Sequence, residues 1–188
     1  MLSAVYGTLL TPSMVSKWSE DEDGKCKLCE ERMGNIQHIL AGCKVALSQG
    51  MYRWRHDKVL KQISEQVVFH CDRRVNKAGD GRQFIDFVPA GRRKAERIAE
   101  SHEYKLYRYS GLQAEIQAKG WCCYNAAVEV GARGVVAQSL ERAARRIGFR
   151  GRELKKLVRD SRKEAAHCSR WIYLLSGRKE WEFRKVGA

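Results

Sequence analysis

Four potential metal ligands stand close together between residues 26 and 43. Cys26 and Cys29 form a C-x2-C pair, His38 follows after eight intervening residues, and Cys43 follows after four more. Zinc prefers four soft or borderline ligands in a tetrahedron, and a C-x2-C turn supplies two thiolates from one tight loop. Because protein side chains would fill all four positions, the spacing predicts a structural Zn2+ site, not a catalytic one.

The alternative is that these four residues are unrelated and that His38 is simply hydrogen-bonded within a turn. The segment is short and contains Gly34 and Gly42. Such a segment has few means of holding its fold other than a bound metal, which favours the zinc hypothesis. The other cysteines, Cys71, Cys122, Cys123 and Cys168, have no matching second half and are expected to be thiols.

The charge of the chain is large and uneven. The formal net charge is +14, and residues 141–188 hold 15 basic and 6 acidic side chains, whereas residues 1–50 are almost balanced. Such a positive field attracts polyanions and favours phosphate contacts through counterion release. The pattern indicates DNA or RNA as the partner; a membrane surface or an acidic protein is the alternative.

The predicted nucleic-acid contacts lie on two basic helices. Trp54 is either a platform on which a base stacks or an apolar anchor near the zinc site. The predicted contact residues are Arg53, Trp54, Arg55, Lys58, Arg152, Lys155, Lys156, Arg159, Arg162 and Lys163.

The elements that must position these residues follow from periodicity and from glycine and proline. We predict helices over 51–66, 93–119, 136–147 and 151–175, strands over 84–88 and 121–130, and a loop over 71–83. Pro89 and Gly91 are expected to end the first strand, and Gly120 and Gly148 to end two of the helices.

Composition and the N-terminal sequence exclude several classes of protein. No apolar run approaches the roughly 20 residues that span a bilayer, so we expect no membrane insertion. The N-terminal residues have neither the basic start nor the long apolar core of a signal peptide, which predicts an intracellular protein. No motif indicates a small-molecule substrate.

With the knuckle placed, its flanks resemble a region of certain non-LTR retrotransposon polyproteins. In these polyproteins a zinc knuckle follows the reverse transcriptase and precedes a restriction-like endonuclease domain. The matching segments, which run in order along nearly the whole chain, are the knuckle with 46–60, Phe87–Gly91, Tyr104–Leu112, Val128–Gly134 and Ala165–Ile172.

This resemblance implies a mixed α/β fold: a zinc knuckle, then an incomplete restriction-endonuclease-like domain with a helical C-terminus. The implied organisation is an N-terminal segment (1–23), a CCHC-type knuckle (24–50), a basic helix or linker (51–70) and the nuclease remnant (84–188). The resemblance also implies a nuclear location, where such elements meet DNA.

The chain departs from this family where the cutting chemistry should lie. The family's nuclease holds Mg2+ on a Pro-Asp strand and a following acidic strand, and here neither proline precedes an aspartate. Lys105 matches the family's helix lysine. Asp86 and Glu129 are the acids that could replace the missing pair. The preferred interpretation, however, is that Asp86 is an exposed polar residue of the strand and that Glu129 pairs with Arg133 or caps a turn.

Three hypotheses about function follow from the sequence. The preferred one is a zinc-dependent nucleic-acid-binding fragment derived from a retrotransposon, with its nuclease activity lost. The second is a Mg2+-dependent DNA endonuclease that uses Asp86, Glu129 and Lys105, and only this one requires Mg2+. The third is a decayed open reading frame without a selected role.

Overall fold

The structure, a computed structural model, describes residues 9–21, 23–78, 83–90, 107–120 and 122–177, with only the backbone of 74–78, 83–90 and 122–125. The fold of these residues is mostly helical. Its elements are α1 (Pro12–Val15), α2 (Ile36–Ala41), α3 (Lys44–Ser48), α4 (Met51–Ala78), β1 (Gln83–Ala90), α5 (Ser110–Ala118), β2 (Cys122–Glu129), α6 (Gln138–Arg146) and α7 (Gly151–Leu175).

The chain forms two compact units, each assembled from separate stretches. The first, here called the cysteine unit, comprises the described parts of Met1–Lys58, Ala132–Gly134 and Glu164–Ala188. The second, here called the strand unit, comprises the described parts of Val59–Gly131 and Val135–Lys163. The long helices α4 and α7 each contribute residues to both units.

The C-terminal helices agree closely with the sequence prediction. α7 has the predicted bounds, and its residues Leu154, Leu157, Ala165, Cys168 and Ile172 are buried, as helical spacing requires. α6 lies within the predicted range of 136–147. The predicted stop at Gly148 is confirmed, because this glycine has a φ of 95°, a conformation that side chains with a Cβ disfavour.

Within the strand unit, α4 and α7 run antiparallel and are joined by polar contacts. The Ser161 hydroxyl lies 3.0 Å from Gln62 Oε1, and Gln66 Nε2 donates to Asp160 Oδ2 over 3.0 Å. Further along, the buried His70 ring stacks on Phe149 at a centroid distance of 3.9 Å. These contacts fix the face that α7 turns towards α4.

Both predicted strands exist, and they pair with each other in parallel. β1 continues through Pro89, which pairs with Val128 in the register, so the prediction that proline ends this strand is wrong. Proline is tolerated at a sheet edge, where its missing N–H costs no ladder hydrogen bond. Two paired strands do not establish a restriction-like α/β domain, and that finer fold assignment stays a prediction.

Two other predictions need correction or fall partly outside the described residues. The loop expected over 71–83 is wrong for 71–78, which continue α4. This stretch has no glycine or proline before Gly79, so nothing in it breaks the helix. Of the helix expected over 93–119, residues 93–106 lie outside the described residues; the rest includes α5, and Gly120 with a φ of 80° follows its end.

None of the helices in the described part of the chain combines the length and the hydropathy required to cross a lipid bilayer.

Candidate metal centre and nucleic-acid interface

The four predicted zinc ligands converge in the cysteine unit. The ligand atoms of Cys26, Cys29, His38 and Cys43 all lie within 4.8 Å of one another. Cys26 Sγ is 3.9 Å from Cys43 Sγ, and Cys29 Sγ is 3.3 Å from His38 Nε2. With Zn–S bonds of about 2.3 Å, the sulfur atoms of a tetrahedral site are about 3.8 Å apart, so the observed spacing fits a four-coordinate metal.

A small turn positions Cys26 and Cys29. Lys25 and Met33 form an antiparallel bridge, and within it the Cys26 N–H donates to Arg32 O over 2.8 Å. The Glu30 N–H donates back to Cys26 O over 2.8 Å, and Glu30 has a φ of 54°. This turn places the two thiols on the same side, as the C-x2-C spacing predicts.

The short helix α2 delivers His38. Asn35 caps this helix, and its side-chain oxygen accepts a hydrogen bond of 2.8 Å from the His38 N–H. At the end of α2 the N–H groups of Gly42 and Cys43 both donate to His38 O, over 2.7 and 2.9 Å. A Cβ at Gly42 would lie 3.2 Å from the His38 Cα, so glycine permits this tight return of the chain to Cys43.

Tyr52 supports the site, a role that the sequence analysis did not recognise. Its buried hydroxyl donates to Ile39 O over 2.8 Å and accepts the Cys43 N–H over 3.2 Å. It therefore links the first turn of α4 to the last two ligands. In the sequence Tyr52 is visible only as one member of an apolar helical face, which gives no hint of these bonds.

The donor set and its burial favour a bound cation. Burial raises the pKa of the Cys26 thiol to about 11. Burial also acts to raise the pKa of Cys29, but hydrogen bonds from the backbone N–H groups of Glu31 and Arg32 bring it below its usual value. With its pKa raised, Cys26 stays a neutral thiol unless a nearby cation compensates its thiolate. Three sulfurs with one imidazole nitrogen form a donor set suited to zinc.

The ligands belong to the apolar core of the cysteine unit. Cys26 and Cys43 are each 1% exposed. The other buried members of this cluster are Ile39, Leu40, Ala46, Met51, Tyr52 and Ile172. Within the described residues this is the only group of three or more His, Cys, Asp or Glu side chains that could hold a metal.

Arg55 was predicted to bind phosphate, but the structure places it in the core. It is only 8% exposed, and its guanidinium donates to Leu40 O and Ser169 Oγ over 3.0 Å each. Burial lowers its pKa to about 10. Because its charge is enclosed and its Nη1 donates to both of these acceptors, Arg55 is a hydrogen-bond donor of the core and not an exposed basic residue.

The neighbours of Arg55 on α4 differ in exposure. Arg53 is exposed and Lys58 is half-buried. Trp54 is half-buried and packs against the core cluster around the ligands. Of the two interpretations of Trp54, the packing favours the core anchor over the stacking platform.

The predicted basic residues of α7 all reach solvent. Arg159 forms a surface pair with the neighbouring Asp160, with Nε 3.3 Å from Oδ1. The exposed residues are Arg152, Lys155, Lys156, Arg159, Arg162 and Lys163.

Further exposed arginines precede α7, and the sequence analysis did not select them. Arg142, Arg145 and Arg146 lie on α6, and Arg150 lies in the turn that follows. Residues 135–163 hold 10 basic and 3 acidic side chains. This excess of basic residues is visible in the sequence and would have extended the predicted nucleic-acid interface to α6.

The strand register separates Asp86 from Glu129, two of the three predicted catalytic residues. In the β1–β2 register Asp86 pairs with Asn125, whereas Glu129 pairs with Ala90. The two acids are therefore four positions apart, or about 13 Å along the strands. The Ser139 hydroxyl donates a hydrogen bond to the Glu129 carboxylate. Lys105 lies outside the described residues.

The remaining cysteines give no second metal site among the described residues. Cys71 is half-buried, Cys168 is buried, and neither forms a disulfide in the described part of the chain. Burial, with Glu164 nearby, raises the pKa of Cys168 to about 12, which keeps it a neutral thiol. The side chains of Cys122 and Cys123 lie outside the described residues.

Comparison with known proteins adds no relative: the chain matches no family model, no curated protein and no solved structure.

Proposed function

We propose that this chain is a zinc-binding fragment of a non-LTR retrotransposon polyprotein that binds nucleic acid and does not cut it. The main support for zinc binding is the convergence of Cys26, Cys29, His38 and Cys43. A zinc ion held by four protein ligands has no open position for a substrate, so its role is structural. The zinc ion would hold the fold of the cysteine unit, and the exposed basic side chains would bind the phosphates.

The charge distribution supports a nucleic acid as the partner. The exposed basic residues of α6 and α7 concentrate positive charge on one short stretch of the strand unit. Releasing condensed counterions from a nucleic acid drives binding to such a surface. A nuclear location accords with this partner.

The retrotransposon origin is supported by the order of the motifs along the chain. The knuckle, the FVPAG segment at 87–91 and the AAHCSRWI segment at 165–172 follow one another as in the polyprotein tail that they resemble. The region between the second and third of these is shorter than in that family, which is consistent with a lost catalytic segment.

We infer the absence of nuclease activity from the separation of the two candidate carboxylates, Asp86 and Glu129. A Mg2+ site in such nucleases needs two carboxylates at one metal. The strand register separates Asp86 from Glu129 by four positions, and Glu129 already accepts a hydrogen bond from Ser139. The sequence offers no Pro-Asp pair in their place.

A salt titration of binding tests the proposal. Fluorescence anisotropy of the full zinc-loaded chain with labelled DNA and RNA should give a log affinity that falls steeply with log salt, because phosphate contacts dominate. A slope near zero, or no binding at low salt, would contradict the proposal.

A nicking assay tests the absence of cutting. Supercoiled plasmid incubated with the full chain and Mg2+ or Mn2+ should stay intact. Metal-dependent nicking that disappears in Glu129→Ala would instead support the endonuclease hypothesis. Binding without nicking, together with cooperative unfolding of the strand unit, would argue against a decayed reading frame.

A further inference from the structure

The connection between α6 and α7 is a tight turn of four residues, 147–150. Gly148 has a φ of 95°. Its N–H donates to Arg145 O over 3.2 Å, and the Phe149 N–H donates to Ala144 O over 3.0 Å. This is the paired hydrogen-bond pattern of a glycine C-cap, which ends one helix and fixes the direction of the next.

The residues around this turn are buried on one side. Ala144 is fully buried, Phe149 is 3% exposed, and the other inward positions are apolar as well. The small alanines of α6 allow close packing beside the turn. The buried residues of this segment are Leu140, Ala143, Ala144, Ile147, Phe149, Leu154 and Leu157. Two helices linked by four residues, with a glycine in the turn and buried apolar residues on each helix, have the connection of a helix-turn-helix.

The exposed basic residues of α7 between positions 152 and 163 lie on one side of the helix. At about 3.6 residues per turn, its six exposed basic residues fall within an arc of about 120°. The acids lie outside this arc: Glu153 Oε2 is 3.1 Å from His70 Nδ1, and Asp160 accepts the Gln66 amide of α4. The basic arc is Arg152, Lys155, Lys156, Arg159, Arg162 and Lys163.

We propose that α6 and α7 form a helix-turn-helix that inserts the basic arc of α7 into the major groove of duplex DNA. This deepens the proposed function and rests on it, because it specifies which nucleic acid is bound and by which helix. In such units the first helix crosses the DNA backbone while the start of the second meets the base edges.

Groove dimensions select duplex DNA over duplex RNA. An α-helix with its side chains is about 10–12 Å wide, which matches a DNA major groove about 12 Å wide. The major groove of A-form RNA is too narrow and deep for side chains to read. A basic helix therefore fits the major groove of duplex DNA. A single-stranded nucleic acid would contact this helix only through its phosphates.

The residues then divide into two roles. Arg152 and Lys156 lie in the first two turns of α7 and would reach base edges, where arginine and lysine donate to guanine O6 and N7. Arg142 and Arg146 of α6 would contact phosphates and set the register. The exposed Arg150 of the turn lies between these two groups along the chain.

The test compares two double variants of the full zinc-loaded chain. Arg152→Ala/Lys156→Ala removes two charges from the arc, and Lys17→Ala/Lys119→Ala removes two exposed charges elsewhere. Affinities are measured for a mixed-sequence 30-bp DNA duplex, for the same duplex methylated at guanine N7, and for an RNA duplex. Circular dichroism confirms that both variants keep their helical content.

We expect the arc variant to bind the DNA duplex at least about tenfold more weakly and the control variant to change less than about threefold. Methylation, which blocks an acceptor in the major groove, should weaken the wild type and leave the arc variant nearly unaffected. Equal losses in both variants, or no effect of methylation on the wild type, would overturn the helix-turn-helix and leave general nucleic-acid binding standing. Failure of the wild type to bind any of the three probes would overturn the proposed function itself.

Discussion

Arg53 and Arg55 are two positions apart on α4 yet have opposite surroundings. Arg53 faces solvent, whereas Arg55 is buried and donates to Leu40 O and Ser169 Oγ. Two steps along a helix turn a side chain by about 200°, so alternate arginines cannot share a face. The same charge therefore serves as a possible phosphate contact at one position and as a core hydrogen-bond donor at the other.

We predict that Arg55→Ala lowers the free energy of unfolding by about 2–3 kcal/mol, because it removes the buried hydrogen bonds to Leu40 O and Ser169 Oγ and opens a cavity. Arg53→Ala should change it by less than about 0.5 kcal/mol while weakening nucleic-acid binding. Urea denaturation and anisotropy measure the two effects. Equal stability changes in both variants would be inconsistent with the buried position of Arg55.

The buried hydroxyl of Tyr52 should also contribute to stability. Tyr52→Phe removes a hydroxyl that serves both Ile39 O and the Cys43 N–H, and it should destabilise the cysteine unit by about 1–2 kcal/mol. Tyr173→Phe removes a more exposed hydroxyl bonded to Leu10 O and is the matched control, expected to cost less than about 0.5 kcal/mol. Thermal unfolding of the two variants side by side measures the difference.

At the scale of elements, two glycines of the strand unit have opposite roles. Gly148 has a φ of 95° in the turn between α6 and α7. Gly111 is the second residue of α5, and a Cβ there would meet nothing within 4 Å. A left-handed backbone favours glycine, while a helical backbone favours alanine over glycine.

The expected effects of alanine therefore have opposite signs. Gly148→Ala should destabilise the protein by about 1 kcal/mol because a Cβ is strained in the left-handed region. Gly111→Ala should stabilise it by about 0.5–1 kcal/mol through the helix propensity of alanine. Chemical denaturation of both variants measures the difference, and destabilisation by Gly111→Ala would show that α5 is not helical at this position.

Element boundaries were predictable from the sequence where a residue enforces them. Gly120 and Gly148 follow helix ends because glycine adopts a positive φ, and α7 has the predicted bounds because its apolar spacing is regular. The continuation of α4 through 71–78 was missed, since polar composition resembles a loop although nothing there breaks a helix. Pro89 was given too much weight as the end of β1, because proline is tolerated at a sheet edge and, among the described residues, β1 pairs only with β2.

The four candidate metal ligands were predictable as a set, because their spacing in the sequence alone selects them. What the sequence could not give is their surroundings, since Tyr52 and Ile172 reach the cluster through tertiary packing. The burial of Arg55 depends in the same way on Ser169, which is 114 residues away in the chain. Long-range contacts of this kind leave no local pattern.

At the scale of the whole molecule, metal binding and folding should be coupled within the cysteine unit. Its core is built directly on Cys26 and Cys43, together with Leu40, Met51 and Ile172. A structural zinc ion contributes its binding free energy to folding. The strand unit has its own buried residues, including Leu140 and Leu157.

We predict that chelation removes amide protection mainly from residues 24–52. Hydrogen exchange of the full chain with and without a strong chelator should show the loss there, while α6 in the strand unit keeps most of its protection. Readdition of zinc should restore the protection. Uniform loss over both units, or no loss anywhere, would contradict a metal that organises the cysteine unit.

Native mass spectrometry of the full chain measures directly whether the four residues bind a zinc ion. We expect one zinc ion per chain in the wild type and in Cys71→Ala, whose thiol lies outside the cluster, and none in Cys43→Ala. A wild-type chain that stays metal-free after reconstitution with zinc, or a Cys43→Ala variant that binds zinc as the wild type does, would contradict it.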